Sequence, residues 1–138
     1  GRSAKHLGVQ LSDGLKFHDH FHTIFRKFQQ RVNLLCFMGR HLPSSHILLL
    51  YKSYVRPAIE YAIPVWSFRI TSAQLESLDV LQAKVCRRLL KSAKITFDIY
   101  ESKSNLNRLC HLESLQFRRI FISLVVLFKY INFHPEYL

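Results

Sequence analysis

From Lys5 to Leu11 the pattern alternates, with Leu7, Val9 and Leu11 on one side, which is the two-residue period of a short strand. Ser12-Asp13-Gly14 is a turn signal whose glycine is free to take positive φ, and Leu15 to Phe17 reads as the returning strand of a hairpin. From about Asp19 to Gly39 the period becomes helical. Phe21, Ile24, Phe25, Phe28, Val32 and Leu35 make one apolar stripe, and Lys27 and Arg31, four apart, share a flank of it. Gly39 reads as the helix stop. Pro43-Ser44 opens a second helical stretch running from Ser45 towards Tyr61. Pro57 must kink or end that helix, because it lacks the N–H and its ring crowds the preceding turn. Pro64 and Trp66 close the segment.

Thr71 and Gln74 have the spacing of a capping box, each side chain able to serve the other's backbone N–H. The helix this predicts, to about Lys91, places Leu75, Leu78, Gln82, Val85 and Leu89 on one side. Lys84, Arg87, Arg88 and Lys91 gather on the opposite side within roughly 100° of arc. Two last helical segments cover roughly Phe97 to His111 and Leu112 to Phe133, ended by Pro135. The expected fold is therefore mainly α, a helical bundle preceded by a short N-terminal β-hairpin. Its parts are residues 1–17 as the hairpin, 18–94 as the bundle and 95–138 as a C-terminal helical segment packed on it.

Composition sharpens this picture. The chain has 138 residues and is 49% hydrophobic, enough to bury a core and too apolar to be disordered. Twenty Lys and Arg stand against nine acids, for a net charge of +11. Such an excess points to a polyanion, with an anionic membrane or an acidic protein as weaker options and a merely solvated face as the bland one. The most apolar run, Ile120 to Phe128, is far short of the roughly 20 residues a membrane helix needs, so no membrane partner is expected. Cys36, Cys86 and Cys110 are far apart and form no CxxC pair, which argues for reduced thiols in an intracellular protein. No apolar stretch follows Gly1 to Lys5, so no signal peptide is expected. The absence of an initiator methionine fits a piece of something longer.

Candidate chemistry is sparse. His18, His20 and His22 alternate, which scatters them around a helix and argues against a metal site. There is no Gly-x-Ser-x-Gly elbow and no glycine-rich phosphate loop. A two-metal polymerase or nuclease needs clustered carboxylates, whereas the acids here are dispersed from Asp13 to Glu136. Glu76 and Asp79 share a face near a helix start, where negative charge favours the dipole. No active site and no cofactor are expected in this chain.

Several segments, in order, resemble one family. KHLGV (Lys5 to Val9), a turn and a long helix ending in RVNLLCFMGR (Arg31 to Arg40) resemble the end of the palm and the start of the thumb of non-LTR (LINE-type) retrotransposon reverse transcriptases. LLLYKSYVRPAIEYAIPVW (Leu48 to Trp66) is similar to that family's tyrosine helix, Arg-Pro, Glu-Tyr and terminal tryptophan. LESLDVLQAKVCRRLL (Leu75 to Leu90) resembles the amphipathic helix that follows, and LCHLESLQFRR (Leu109 to Arg119) with FKYINFHPEYL (Phe128 to Leu138) the segment beyond the thumb. The likeness covers nearly the whole chain.

The resemblance implies roles. His6, Leu7 and Gly8 match the primer grip, where a glycine lets the backbone approach a sugar-phosphate chain. Lys27 and Arg31 fall on the thumb helix that faces the template-primer RNA/DNA duplex, contacting phosphates without reading sequence. Lys84, Arg87, Arg88 and Lys91 form a second basic face, for RNA, DNA or solvent. Arg56, Tyr61 and Trp66 are expected to build the packing around the Pro57 kink. The family's catalytic carboxylates and Mg²⁺ belong to the palm, including an Asp-Asp pair that this chain lacks. The expectation is a non-catalytic segment that works with the palm and fingers of its parent enzyme, in cytoplasm and nucleus. Two alternatives stand beside it. One is a docking module using the apolar helix Leu112 to Phe133, and the other a stand-alone basic nucleic-acid binder.

Overall fold

The computed structural model describes residues 2–61 and 69–133, with side chains from Asp19 onward. Its first element, α1, runs unbroken over Arg2–Met38. The hairpin expected over Lys5 to Phe17 is therefore corrected: the backbone there is helical, and among the described residues there is no β-strand. The reason is legible afterwards. Leu7, Leu11 and Leu15 also stand four apart, and a run that short satisfies either period. Extending an existing helix adds a hydrogen bond for each residue fixed, while a lone two-stranded hairpin is only marginally stable.

The predicted stripe is the core face of α1: Phe21, Ile24, Phe28, Val32 and Leu35 are all buried. Beyond Met38 the chain tightens into a 3₁₀ turn, Gly39–His41. Gly39 does end α1, but not by taking positive φ. It is small because the chain passes close to its neighbours there, and a Cβ would lie 3.2 Å from both Arg88 Cγ and Ile47 Cδ1.

Helix α2 (Ser44–Leu50) continues through a π-helical turn, Tyr51–Val55, into α3 (Pro57–Glu60). Arg56 N donates to Tyr51 O over 2.8 Å, a bond of π-helical span. The wider turn lets Pro57 occupy the first position of a new helical segment, where its missing N–H costs nothing. The helix thus passes the proline by widening.

Helix α4 (Ser72–Ser92) starts with the predicted capping box: Gln74 N donates to Thr71 Oγ1 (3.1 Å) and Thr71 N to Gln74 Oε1 (3.0 Å). It packs against α1, α2, α5 (Lys103–Leu109) and α6 (Leu115–Phe133), and so carries a wide buried face of Leu78, Leu81, Gln82, Val85, Cys86 and Leu90. Helix α5 is shorter than the expected Phe97 to His111. Lys94, at φ 58°, reverses the chain, with Ile95 N on Leu90 O (2.9 Å) and Lys94 N on Lys91 O (3.1 Å). His111, at φ 56°, closes α5 in the same way, with Leu112 N on Asn107 O (2.9 Å). Ser114 Oγ then accepts from Phe117 N (3.1 Å) and caps α6, which starts three residues after the expected Leu112.

A polar chain crosses the middle of this core. The Tyr51 hydroxyl donates to Gln82 Oε1, and Gln82 Nε2 donates to Asn107 Oδ1 (3.1 Å) and to Glu113 O (3.0 Å). Burial holds the Tyr51 phenol well above its ordinary pKa, so it stays a donor at any physiological pH. The hydrogen bond with Cys110 and burial likewise push the Cys86 thiol up. Each polar group of this chain has a partner, which is the condition for burying it.

Candidate nucleic-acid interface

The capping box and the buried face fix α4 in rotation, and that rotation turns Lys84, Arg87, Arg88 and Lys91 towards the last turns of α1. Facing them from α1 and the following turn are Asn33, Cys36, Phe37 and Arg40, and between the two walls lies a groove of about 310 Å³. Five cations surround it, and no Asp or Glu lines it. Like charges on a concave, partly apolar wall reinforce one another's potential, so a groove of this kind attracts anions.

Neighbours hold the basic side chains in place. Lys84 Nζ donates to Asn33 Oδ1 at 2.7 Å. The stem of Arg88 occupies the space that Gly39 leaves open, and its Nη2 reaches Ser92 Oγ (3.5 Å), whose hydroxyl in turn donates to Gly39 O (3.1 Å). Arg88 Nε is buried without a hydrogen-bond partner, which leaves a charge-bearing donor uncompensated at the groove wall. The Arg40 guanidinium lies 5.6 Å from the centre of the Phe37 ring. Burial raises the Cys36 thiol pKa against the opposing pull of Lys84 and Arg88, so the sulfur in the groove is a neutral thiol. The sequence singled out the α4 half of this site. It missed Asn33, Phe37 and Arg40, although their steps of four and three mark a common flank of α1.

The other expected contacts lie elsewhere. At 100° per residue, positions 33 and 36 are roughly 120–180° around α1 from positions 27 and 31. Arg31 is engaged by a neighbour at the surface: Nη1 donates to Tyr54 O (2.9 Å), and the guanidinium lies 4.2 Å from the centre of the Tyr54 ring. Lys27 is exposed on that same flank. Lys27 and Arg31 therefore do not share a surface with the α4 cations. His6, Leu7 and Gly8 fall on the helical backbone of α1, and their side chains lie outside the described residues, as do Pro64 and Trp66.

Arg56 is part of the packing, as expected. Its Nε lies 2.9 Å from Glu60 Oε1, and its Nη1 is 3.7 Å from Glu113 Oε2. Arg118 of α6 grips the same Glu60 with two hydrogen bonds, 2.8 and 3.1 Å, and the bond with Glu60 raises its own pKa. Tyr61, expected in that packing, is 68% exposed instead. Other acids are also engaged: Glu76 pairs with Lys103, and Asp98 Oδ1 accepts from Tyr100 N (2.9 Å). Among the described residues no group of three or more His, Cys, Asp or Glu is placed to hold a metal ion. Among them, too, no helix is long and apolar enough to cross a membrane. Compared with known proteins, the chain matches no family model, no curated protein and no solved structure.

Proposed function

We propose that this chain is a non-catalytic nucleic-acid-binding module that holds phosphates in the groove between α1 and α4. In this reading it works as the thumb region of a LINE-type reverse transcriptase, steadying the template-primer RNA/DNA duplex beside the palm and fingers of an intracellular parent enzyme. The observation that carries the proposal is the gathering of Arg40, Lys84, Arg87, Arg88 and Lys91 around one groove that no carboxylate lines. Lysine and arginine contacts to phosphate give grip and position without reading sequence. The acids found in intramolecular contacts favour a supporting role, and the isolated chain is expected not to extend a primer.

The test is fluorescence anisotropy of the purified chain on a labelled RNA–DNA hybrid across a salt series. Affinity should fall steeply with salt, and Arg87→Ala/Lys91→Ala should flatten the slope by roughly 0.9 per contact removed. Lys27→Ala should leave the slope nearly unchanged. A folded chain that binds neither this hybrid nor a single strand at low salt would refute the grip.

A second reading, docking on another domain of a longer protein, is favoured by α6. Leu115 is buried and Ile122 packs against the core, but much of its remaining apolar surface is uncovered, with Phe121, Leu124 and Phe128 all exposed. Binding of that kind would tolerate salt, which separates it from phosphate grip.

A further inference from the structure

We infer that the strand held at Arg87 and Lys91 is unpaired, with a base seated in an apolar recess beside the basic groove. The inference rests on the phosphate-binding reading and names the form of nucleic acid that the site takes.

Arg87 and Lys91 belong to two hollows at once. On one side they line the groove shared with α1. On the other they line a recess of about 370 Å³ walled by Ile95, Thr96, Phe97 and Ile99. The recess exists because Lys94, at positive φ, turns the chain at the end of α4 and sends the segment after it past the basic face without regular structure. The wall is unusual for a loop. Ile95 is 47% and Ile99 73% exposed, so two branched aliphatic side chains stand in solvent next to two cations. Core packing does not require them there. On the α1 wall of the groove, Phe37 is 65% exposed beside Arg40.

Cations flanked by exposed apolar faces suit a single strand, which offers phosphates and unstacked base faces in alternation. A continuous duplex offers its phosphates, but its base faces are hidden in the stack and would leave Ile95 and Ile99 uncovered. The occupant is thus an overhang, or the strand leaving a duplex. An acidic peptide could satisfy the cations, but nothing in it would require a base-accepting wall.

The experiment compares three labelled ligands of equal length at one low salt concentration: a single-stranded oligonucleotide, the same strand with abasic sites, and a blunt duplex. Each is titrated with the wild-type chain and with Ile95→Ser/Ile99→Ser, whose side chains are exposed enough to be replaced without touching the core. The intact single strand is expected to bind about fivefold tighter than the abasic strand, the effect of removing roughly 40 Å² of apolar surface from water. The double variant should bring the intact strand to the abasic affinity. Equal binding of intact and abasic strands would overturn the base recess and leave the phosphate grip standing. Polyglutamate displacing the intact and abasic strands equally well would also overturn it, in favour of an acidic protein. Binding of none of the three by a folded chain would overturn both readings.

Discussion

Gln82 Nε2 donates to Asn107 Oδ1 over 3.1 Å in the middle of the core, joining the central helix α4 to α5. Gln82 also accepts from Tyr51 and donates to the backbone of Glu113, so one amide ties three parts of the chain together. Gln82→Leu would strip the Tyr51 hydroxyl of its acceptor and leave the Asn107 carbonyl only the weak Cys86 thiol donor, in an environment closed to water. The expected loss is about 2–4 kcal/mol, one to three for each stranded group with some relaxation, read from urea unfolding. Gln82→Leu/Asn107→Leu should cost less than the two single changes added together, since the pair fails as a unit.

Two carboxylates paired with basic partners should behave very differently. Glu60 lies between Arg56 and Arg118, with its side chain only 14% exposed, whereas Glu76 meets Lys103 in the open. Glu60→Ala leaves two poorly hydrated guanidinium groups facing each other and should cost about 3 kcal/mol or more. Glu76→Ala should cost less than about 1 kcal/mol, and that little should vanish in high salt. Chemical denaturation of both variants at two salt concentrations decides the matter.

Lys94 and His111 both occupy left-handed backbone, a conformation that a side chain with a Cβ adopts at a cost. Replacing either with glycine should stabilise the protein by about 0.5–1 kcal/mol, part of the gain being lost to the freer unfolded chain. A glycine variant that melted earlier than the parent would show that the Lys94 or His111 side chain makes a contact worth more than the strain.

Asp79 supplies a pH signature. Burial raises its carboxyl pKa above the ordinary value, against the opposing effect of a hydrogen bond from the Leu115 backbone. A carboxyl with a raised folded-state pKa binds its proton more tightly when folded. It therefore favours folding below that pKa and opposes it once ionised. Asp79→Asn should raise the melting temperature at pH 7, and the difference should shrink as the pH falls through the carboxyl's range. A difference that grows on acidification would contradict this sign.

Much of the fold was legible because it depends on long, one-sided patterns. The stripe from Phe21 to Leu35 and the Thr71–Gln74 cap with its following helix are local signals that tertiary packing had no reason to overrule. The N-terminal segment was misread because three leucines four apart and three alternating apolar residues coexist in the same stretch. Half of the groove was hidden for a different reason. Arg40, Asn33 and Phe37 gain meaning only when α1 and α4 are brought together at Gly39, and spacing along one helix carries no information about which flank another helix will cover. Spacing was equally silent about Arg31, whose guanidinium is taken up by Tyr54 on another flank of α1.

The widened turn at Tyr51–Val55 has a consequence for register. Ile47, Tyr51, Val55 and Ile59 are all fully buried, and they stand four residues apart at each step. In a regular α-helix such a row drifts by about 40° per step, leaving Ile59 roughly 120° away from Ile47. The π turn unwinds the drift and keeps the row on one line, while Arg56 and Glu60 come round to meet Arg118 of α6. Deleting one residue from the turn would restore ordinary winding and rotate everything after it. The segment therefore has a fixed length for reasons unrelated to which amino acids fill it.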